Sequence, residues 1–416
     1  KFRLASPLAV GSGETIHTDS DIILDSRDCP VIPAAAFAGV IRHYLDIECN
    51  DKTEFFGYID GEKSSESKIK FYDAISVSDS YITVRDSVAL KSEEKVGEEG
   101  AKFDQQAVET NAEFITLFEL SNADENQQKD FEEALSAMQA GFLRIGSKTS
   151  RGYGQIEITD LKKAEFLLPG DRKKWLDFSP YDFDSDAYYQ PVILTETSSK
   201  FIKIHLELKQ KGAVSIRSYT VKNKEDISSA DYMQLATNDG VPVIPGTSWA
   251  GAFRQRFAEF LGNEQPFDKE FFNDVWGFVD DTSQTQDKEK QAQQKSKIYF
   301  SESRLSDGDS KIITRTSIDR FSAGIKSHAL YTEKTYYHGS CELDIHIKDN
   351  VKDMQKCMQI LSAVICDLDR GYLAVGGLTS VGRGLFTVEK FFVNEDDRTE
   401  VLKSGNIQAM TGGLTA

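Results

Sequence analysis

The sequence predicts an α+β protein made of two tandem ferredoxin-like domains, each with the RRM-like order βαββαβ and a hairpin insertion. Three observations carry this expectation. Three sequence blocks recur in the same order in each half. Short runs alternate apolar and polar residues, and longer runs repeat apolar residues at helical spacing. At 416 residues the chain is long for one domain and comfortable for two.

The repeat is the strongest signal. "CPVIPAAAFAGVIRHYL", Cys29 to Leu45, parallels "VPVIPGTSWAGAFRQRF", Val241 to Phe257, with Pro33 and Pro245 in register at an offset of 212 (245 − 33). "RIGSKTSRGYGQIEI", Arg144 to Ile158, parallels "AVGGLTSVGRGLFTV", Ala374 to Val388, at an offset of 230 (376 − 146). Between them, "VRDSVAL" at Val84–Leu90 matches "TRTSIDR" at Thr314–Arg320, and "GAKFDQQAV" loosely matches "SHALYTEKTY". The seam falls near Tyr188–Lys200, giving domains over 1–190 and 200–416.

Each half has the same rhythm. "FIKIHLELK", Phe201 to Lys209, alternates as a half-buried strand does, and the opening "KFRLASPLAV" is a weaker version. A helix follows each P-V-I-P. In the second half Thr247 or Ser248 can cap it, and Trp249, Ala252, Phe253, Phe257, Phe260 and Leu261 form an apolar stripe suited to core packing. Second helices are expected over Asn126–Leu143 and Val351–Leu368, then a glycine-rich loop, then a last strand at Gln155–Leu161 or Leu385–Phe392. Strand, helix, two strands, helix, strand is the βαββαβ order. Leu90–Gln106 reads as a protruding hairpin, and Asp280–Lys297, rich in Gln and Lys, as an insertion.

Composition narrows the function classes. No apolar run approaches the roughly 20 residues that span a bilayer, and no basic-then-apolar leader opens the sequence. Cys29, Cys49, Cys341, Cys357 and Cys366 form no CxxC pair, so no zinc is expected and a reducing cytoplasm suits the chain. The net charge of −18 argues against nucleic-acid binding by bulk attraction. It leaves room for a local groove lined by arginines and backbone amides.

The glycine loops invite such a reading. Gly146 and Gly152, and Gly376, Gly377 and Gly382, let a backbone approach a phosphate without a Cβ in the way, and they equally suit a tight turn. Lys148 and Arg151 in the first loop and Arg383 in the second add positive charge.

"GSKTSRGYG" with an upstream "PVIPGTSWAGAFR" resembles the RAMP superfamily of CRISPR proteins, and "RTSIDRFSAGIKSHALYTEKTYYHG" resembles the stretch between those motifs in type III backbone subunits. The resemblance covers nearly the whole chain, once per half. It implies a tandem fusion of two backbone-type RAMP domains that hold a CRISPR RNA beside other type III effector subunits. It implies a hairpin thumb in each half that distorts the guide–target duplex. It also implies an aspartate before the I-P-G stretch that cuts complementary target RNA with Mg²⁺ or Mn²⁺.

Carried over, these roles fall on Asp19 and Asp231, which precede their P-V-I-P prolines by the same interval (33 − 19 = 245 − 231). They are the only metal ligands expected. Asp21, Asp25 and Asp226 compete for the role, and His17 could assist. A carboxylate there can accept the 2′-hydroxyl proton or hold a divalent ion near the phosphate. Arg42 and Arg254 on the helices are expected phosphate contacts, as are Arg85 and Arg315 in the thumbs, which also suit a surface salt bridge. The basic residue usual in the I-P-G stretch is Ala38 or Ala250 here, so one common guide contact is missing. Two alternatives stand beside an active endoribonuclease: a non-cutting guide-RNA scaffold, and a CRISPR RNA-processing endoribonuclease.

Overall fold

The computed structural model describes residues 1–46, 55–60, 63–90, 97–183, 188–194, 200–218, 230–262, 266–279, 293–327 and 329–406. The expected insertion at Asp280–Lys297, the hairpin tip, the seam and Asp226 fall wholly or partly outside them. The architecture is α+β, with two compact units: residues 1–84, 104–149 and 153–199, and residues 85–103, 150–152 and 200–416.

In the first repeat, whose hairpin residues 85–103 group with the second unit, strand β1 (Phe2–Leu4) lies between the last strand and β5 (Glu113–Ile115). β1 is shorter than the opening alternation suggests: the Ala5 and Ser6 amides both turn to the Gln155 carbonyl, and Pro7 then has no N–H for a ladder. The chain re-pairs one residue later, where Leu8 and Val108 exchange backbone hydrogen bonds. Helix α1 (Ala34–Asp46) follows Pro33. β2 (Ile69–Phe71) pairs with β6 (Phe118–Leu120), and β3 (Ile82–Leu90) forms a hairpin with β4 (Gly97–Val108). Helix α2 (Glu125–Gln139) starts on a capping box, with Asp124 accepting from the Asn126 and Gln127 amides. β7 (Ile156–Ile158) closes the sheet against β1. Phe2, Leu4, Phe37, Ile41, Leu135 and Met138 form the core between sheet and helices.

The second unit repeats this plan with longer strands. β8 (Phe201–Lys211) pairs along its length with β12 (Ser340–Lys348) on one side and β13 (Leu385–Val393) on the other. β9 (Ile298–Phe300) adds to β12, and β10 (Asp309–Arg315) pairs with β11 (Tyr331–Tyr337). The sheet reads last strand, first, third, second. Helix α3 (Gly246–Gly262) starts at Gly246, one residue ahead of the expected cap, and α4 (Lys269–Trp276) follows. Helix α5 (Met354–Arg370) is capped by Asp353, whose carboxylate accepts from the Lys356 amide at 2.9 Å.

The two repeats share several bridges. Leu24 pairs with Pro30 and Ala236 with Pro242, both at the offset of the P-V-I-P blocks (236 − 24 = 242 − 30 = 212). Gly11 pairs with Ile22, and Arg217 with Gln234. Leu8 pairs with Val108, and Val214 with Tyr336. Phe2 and Leu4 face Ile158 and Ile156 as Leu208 and Gln210 face Val388 and Phe386.

The expected stripe on α3 is the core of the second unit: Trp249, Phe253, Phe257 and Leu261 are fully buried against Ile204, Leu206 and Leu208 and against Leu361 and Ile365 of α5. Arg256 ties the two helices at their surface through Asp367 at 2.7 Å. Phe253→Ala is predicted to destabilise this unit by about 3–5 kcal/mol, because a cavity replaces a ring with no exposed surface. Denaturant unfolding followed by fluorescence measures it.

Candidate nucleic-acid interface

The glycine loops are built by backbone crowding. A Cβ on Gly154 would stand 1.8 Å from the Ile145 carbonyl oxygen, and one on Gly384 would stand 2.0 Å from that of Val375. The Gly154 amide donates to the Pro7 carbonyl and the Gly384 amide to Ala213, both at 2.8 Å. Gly146 and Gly376 have positive φ, and a Cβ there would meet the Ala9 and Ser215 oxygens at 2.6 and 2.9 Å. Those same oxygens accept from the Ser147 and Gly377 amides at 2.8 and 2.7 Å. These amides serve the fold, whereas the sequence reading aimed the loops at phosphate.

The remaining loop residues divide. Arg151 is exposed and Lys148 half-buried. Gly152 lies against Gly246, with 3.0 Å between a Cβ there and the Gly246 backbone; this crowding requires glycine at the start of α3. The Gly382 amide donates to Thr379 at 3.0 Å, and a Cβ on Gly382 would meet nothing within 4 Å. Arg383 is not an open contact: it is 2% exposed and paired with Glu333 at 2.8 Å. Arg85 is likewise corrected. It is 4% exposed and paired with Glu302, so no phosphate reaches it without opening a buried ion pair. Arg315, its sequence match, is half-buried at the end of β10 opposite Tyr331.

The helices present the open cations. Arg42 and Arg254 are both solvent-exposed, and each guanidinium lies over a phenylalanine, Phe56 at 6.0 Å and Phe272 at 5.2 Å. Partial burial of its guanidinium beside Phe272, and then the like charge of Arg151, hold Arg254 below the usual arginine range. Three residues before each arginine stands an exposed helical glycine, Gly39 or Gly251, whose added Cβ would meet nothing within 4 Å. Residues three apart share a helix face. Glycine inside a helix costs about 0.5–1 kcal/mol relative to alanine. Packing explains neither glycine. The A-G pair visible in both P-V-I-P blocks was the available signal for them.

The two aspartates occupy one structural position. Asp19 and Asp104 on β4 each accept the other's backbone amide, both at 2.9 Å. Asp231 is latched to Thr332 on β11: Thr332 donates its amide at 2.7 Å and its hydroxyl at 2.9 Å to one Asp231 oxygen. Asp19 is exposed and Asp231 half-buried. Asp21 and Asp25 do other work. Asp21 gathers the amides of Ile16, His17 and Thr18 and the Thr18 hydroxyl at 2.7–2.9 Å. Asp25 accepts from the Arg27 and Cys29 amides.

Hydrogen bonds from the His17 amide and its neighbours hold the Asp21 carboxyl down at about 2. A lowered carboxylate adds stability that is fully present above its unfolded value near 3.9 and is lost as pH falls toward 2. The amides of Ile16–Thr18 are predicted to keep their protection from hydrogen exchange down to about pH 4 and to lose it between about pH 4 and 2. Asp21→Asn, with one anionic acceptor fewer, should show weakened protection already at neutral pH.

A cryo-EM structure of the type III-B Cmr-beta bound to cognate target RNA aligns with 47% of this chain and 61% of its own chain, at 15% identity and a TM-score of 0.33. No curated protein matches the sequence. Among the described residues no helix is long and apolar enough to cross a membrane. The family model of the RAMP superfamily matches residues 1–157 and 211–387, one segment in each repeat, and the chain belongs to that superfamily.

Proposed function

We propose that this chain is a guide-RNA-binding backbone subunit of a type III CRISPR effector complex in the cytoplasm, built from two ferredoxin-like RAMP domains. In this reading it holds CRISPR RNA, meets complementary target RNA and touches other effector subunits. The observation that carries RNA binding is the pair Gly39–Arg42 and Gly251–Arg254. In both repeats a helix gives up stability at an exposed glycine and offers a guanidinium one turn later, which is what a passing sugar-phosphate chain requires. The order last, first, third, second in the second sheet supports the ferredoxin-like assignment.

The cutting role belongs to Asp19 in this reading. Asp19 is exposed, and its carboxylate accepts the Asp104 amide near the base of the β3–β4 hairpin, where a distorted duplex would present its phosphate. Among the described residues no three His, Cys, Asp or Glu side chains gather as a metal cage. Mg²⁺ commonly takes one or two carboxylates together with substrate phosphate oxygens, and Asp19 with Asp104 fits that requirement. Such an ion would stabilise the phosphate's developing charge. A non-cutting scaffold role is favoured for the second repeat, because Asp231 is half-buried and its carboxylate is held by Thr332.

Gly39→Ala and Gly251→Ala are each predicted to raise stability by about 0.5–1 kcal/mol and to weaken RNA binding by about tenfold, equivalent to about 1.4 kcal/mol. Thermal melts and anisotropy titrations read the two effects. A variant that gains stability and keeps its RNA affinity refutes the helix-face path. In the assembled complex, Asp19→Asn should slow cutting of complementary RNA about 100-fold or more while target binding stays within about twofold. Unchanged cleavage would remove Asp19 from the chemistry.

A further inference from the structure

Glu333 on β11 is 1% exposed and carries three partners: the Ser215 hydroxyl at 2.6 Å, Arg383 at 2.8 Å and Arg217 at 3.3 Å. Burial pushes its carboxyl up, but the hydroxyl and the two guanidiniums outweigh burial and hold it down, so it stays ionised. Both guanidiniums face this one carboxylate; Arg217 is 28% exposed while Arg383 is buried.

Arg217 lies over an aromatic pair. Its guanidinium is 4.3 Å from the centre of the Tyr232 ring and 5.9 Å from that of Tyr331, and the two rings meet edge-on at 5.7 Å. Both tyrosines are half-buried, and they flank the Asp231–Thr332 latch in sequence. The equivalent described positions of the first repeat carry different residues. The bridge equivalences place Gly11, Ser20 and Phe103 at the positions of Arg217, Tyr232 and Tyr331. At the positions of Ser215, Glu333 and Arg383 they place Ala9, Gln105 and Tyr153. Of these, Ala9 and Tyr153 belong to a small apolar cluster with Ala107.

We infer that Arg217, Tyr232 and Tyr331 form a nucleobase-stacking site particular to the second repeat, with Glu333 as its positioning residue. A guanidinium plane and an aromatic ring are the surfaces on which an unstacked base lies, and a partly exposed guanidinium suits the phosphate that comes with it. The inference rests on the RNA-binding reading and adds one base contact to it. It also makes the two halves unequal readers of the strand.

The test compares two probes of equal length and charge, a fluorescein-labelled oligouridine and an abasic ribose-phosphate chain, titrated against the full chain by anisotropy. The wild type should prefer the base-bearing probe by about tenfold. The Tyr232→Ala/Tyr331→Ala double variant should lose that preference while its affinity for the abasic probe stays unchanged. Tyr232→Phe/Tyr331→Phe, which keeps both rings, should retain it. A preference that survives in the alanine variant overturns the stacking site and leaves RNA binding intact. An alanine variant that loses both probes equally also overturns it, since a folding defect then accounts for the loss. A wild type that binds neither probe sinks the RNA reading and the site together.

Discussion

Each repeat depends on one backbone-to-backbone approach. The loop that leaves the second helix must pass so close to the start of the last strand that Gly154 and Gly384 have no room for a Cβ. That approach brings the loop amides onto the chain that follows the first strand, at Pro7 and Ala9 in one repeat and at Ala213 and Ser215 in the other. The first and last strands are therefore stapled at their ends as well as paired along their length. Sheet order, helix placement and the position of the aspartate loop follow from where this staple lies. The glycines that look like a phosphate cradle are, first of all, the condition for the fold.

The arginines that the sequence points to are divided between the fold's interior and its surface. Arg85 and Arg383 are used in buried ion pairs, whereas Arg42, Arg254 and Arg151 remain exposed. The outer face of the second sheet, the surface an RRM would use, has its charges paired across strands: His205 and Lys203 with Asp344, and Lys390 with Glu207. Arg42 and Arg254 thus stand open on the helices, and Arg151 on the first glycine loop. The repeats share this helix face but differ behind the aspartate, where one has an apolar cluster and the other a buried carboxylate between two arginines.

Much of this was legible in the sequence. The alternation at Phe201–Lys209, the stripe from Trp249 to Leu261 and the duplicated blocks follow from period and spacing, which a single sequence displays. The equal spacing of Asp19 and Asp231 from their prolines also reflects one structural position. Burial of charge was not legible. "VRDSV" and "TRTSI" look alike, yet Arg85 meets a buried Glu302 from the far half of the sequence and Arg315 does not. Nor could spacing show that Asp21 is a loop staple, because its partners are backbone amides that every residue type supplies. The A-G pair of both P-V-I-P blocks marks Gly39 and Gly251, but the sequence does not show that each stands on an exposed helix face with open space around it.

The central claim is that RNA runs along the helix face, past the exposed glycine and arginine of each repeat. Ultraviolet cross-linking of the full chain to single-stranded RNA, with the modified peptides mapped by mass spectrometry, tests it most directly. The account predicts cross-links on the peptides that contain Arg42 and Arg254, with few on the outer sheet face around Tyr299 and Phe392. Cross-links gathered on that sheet face, with the two helices unmodified, would contradict it.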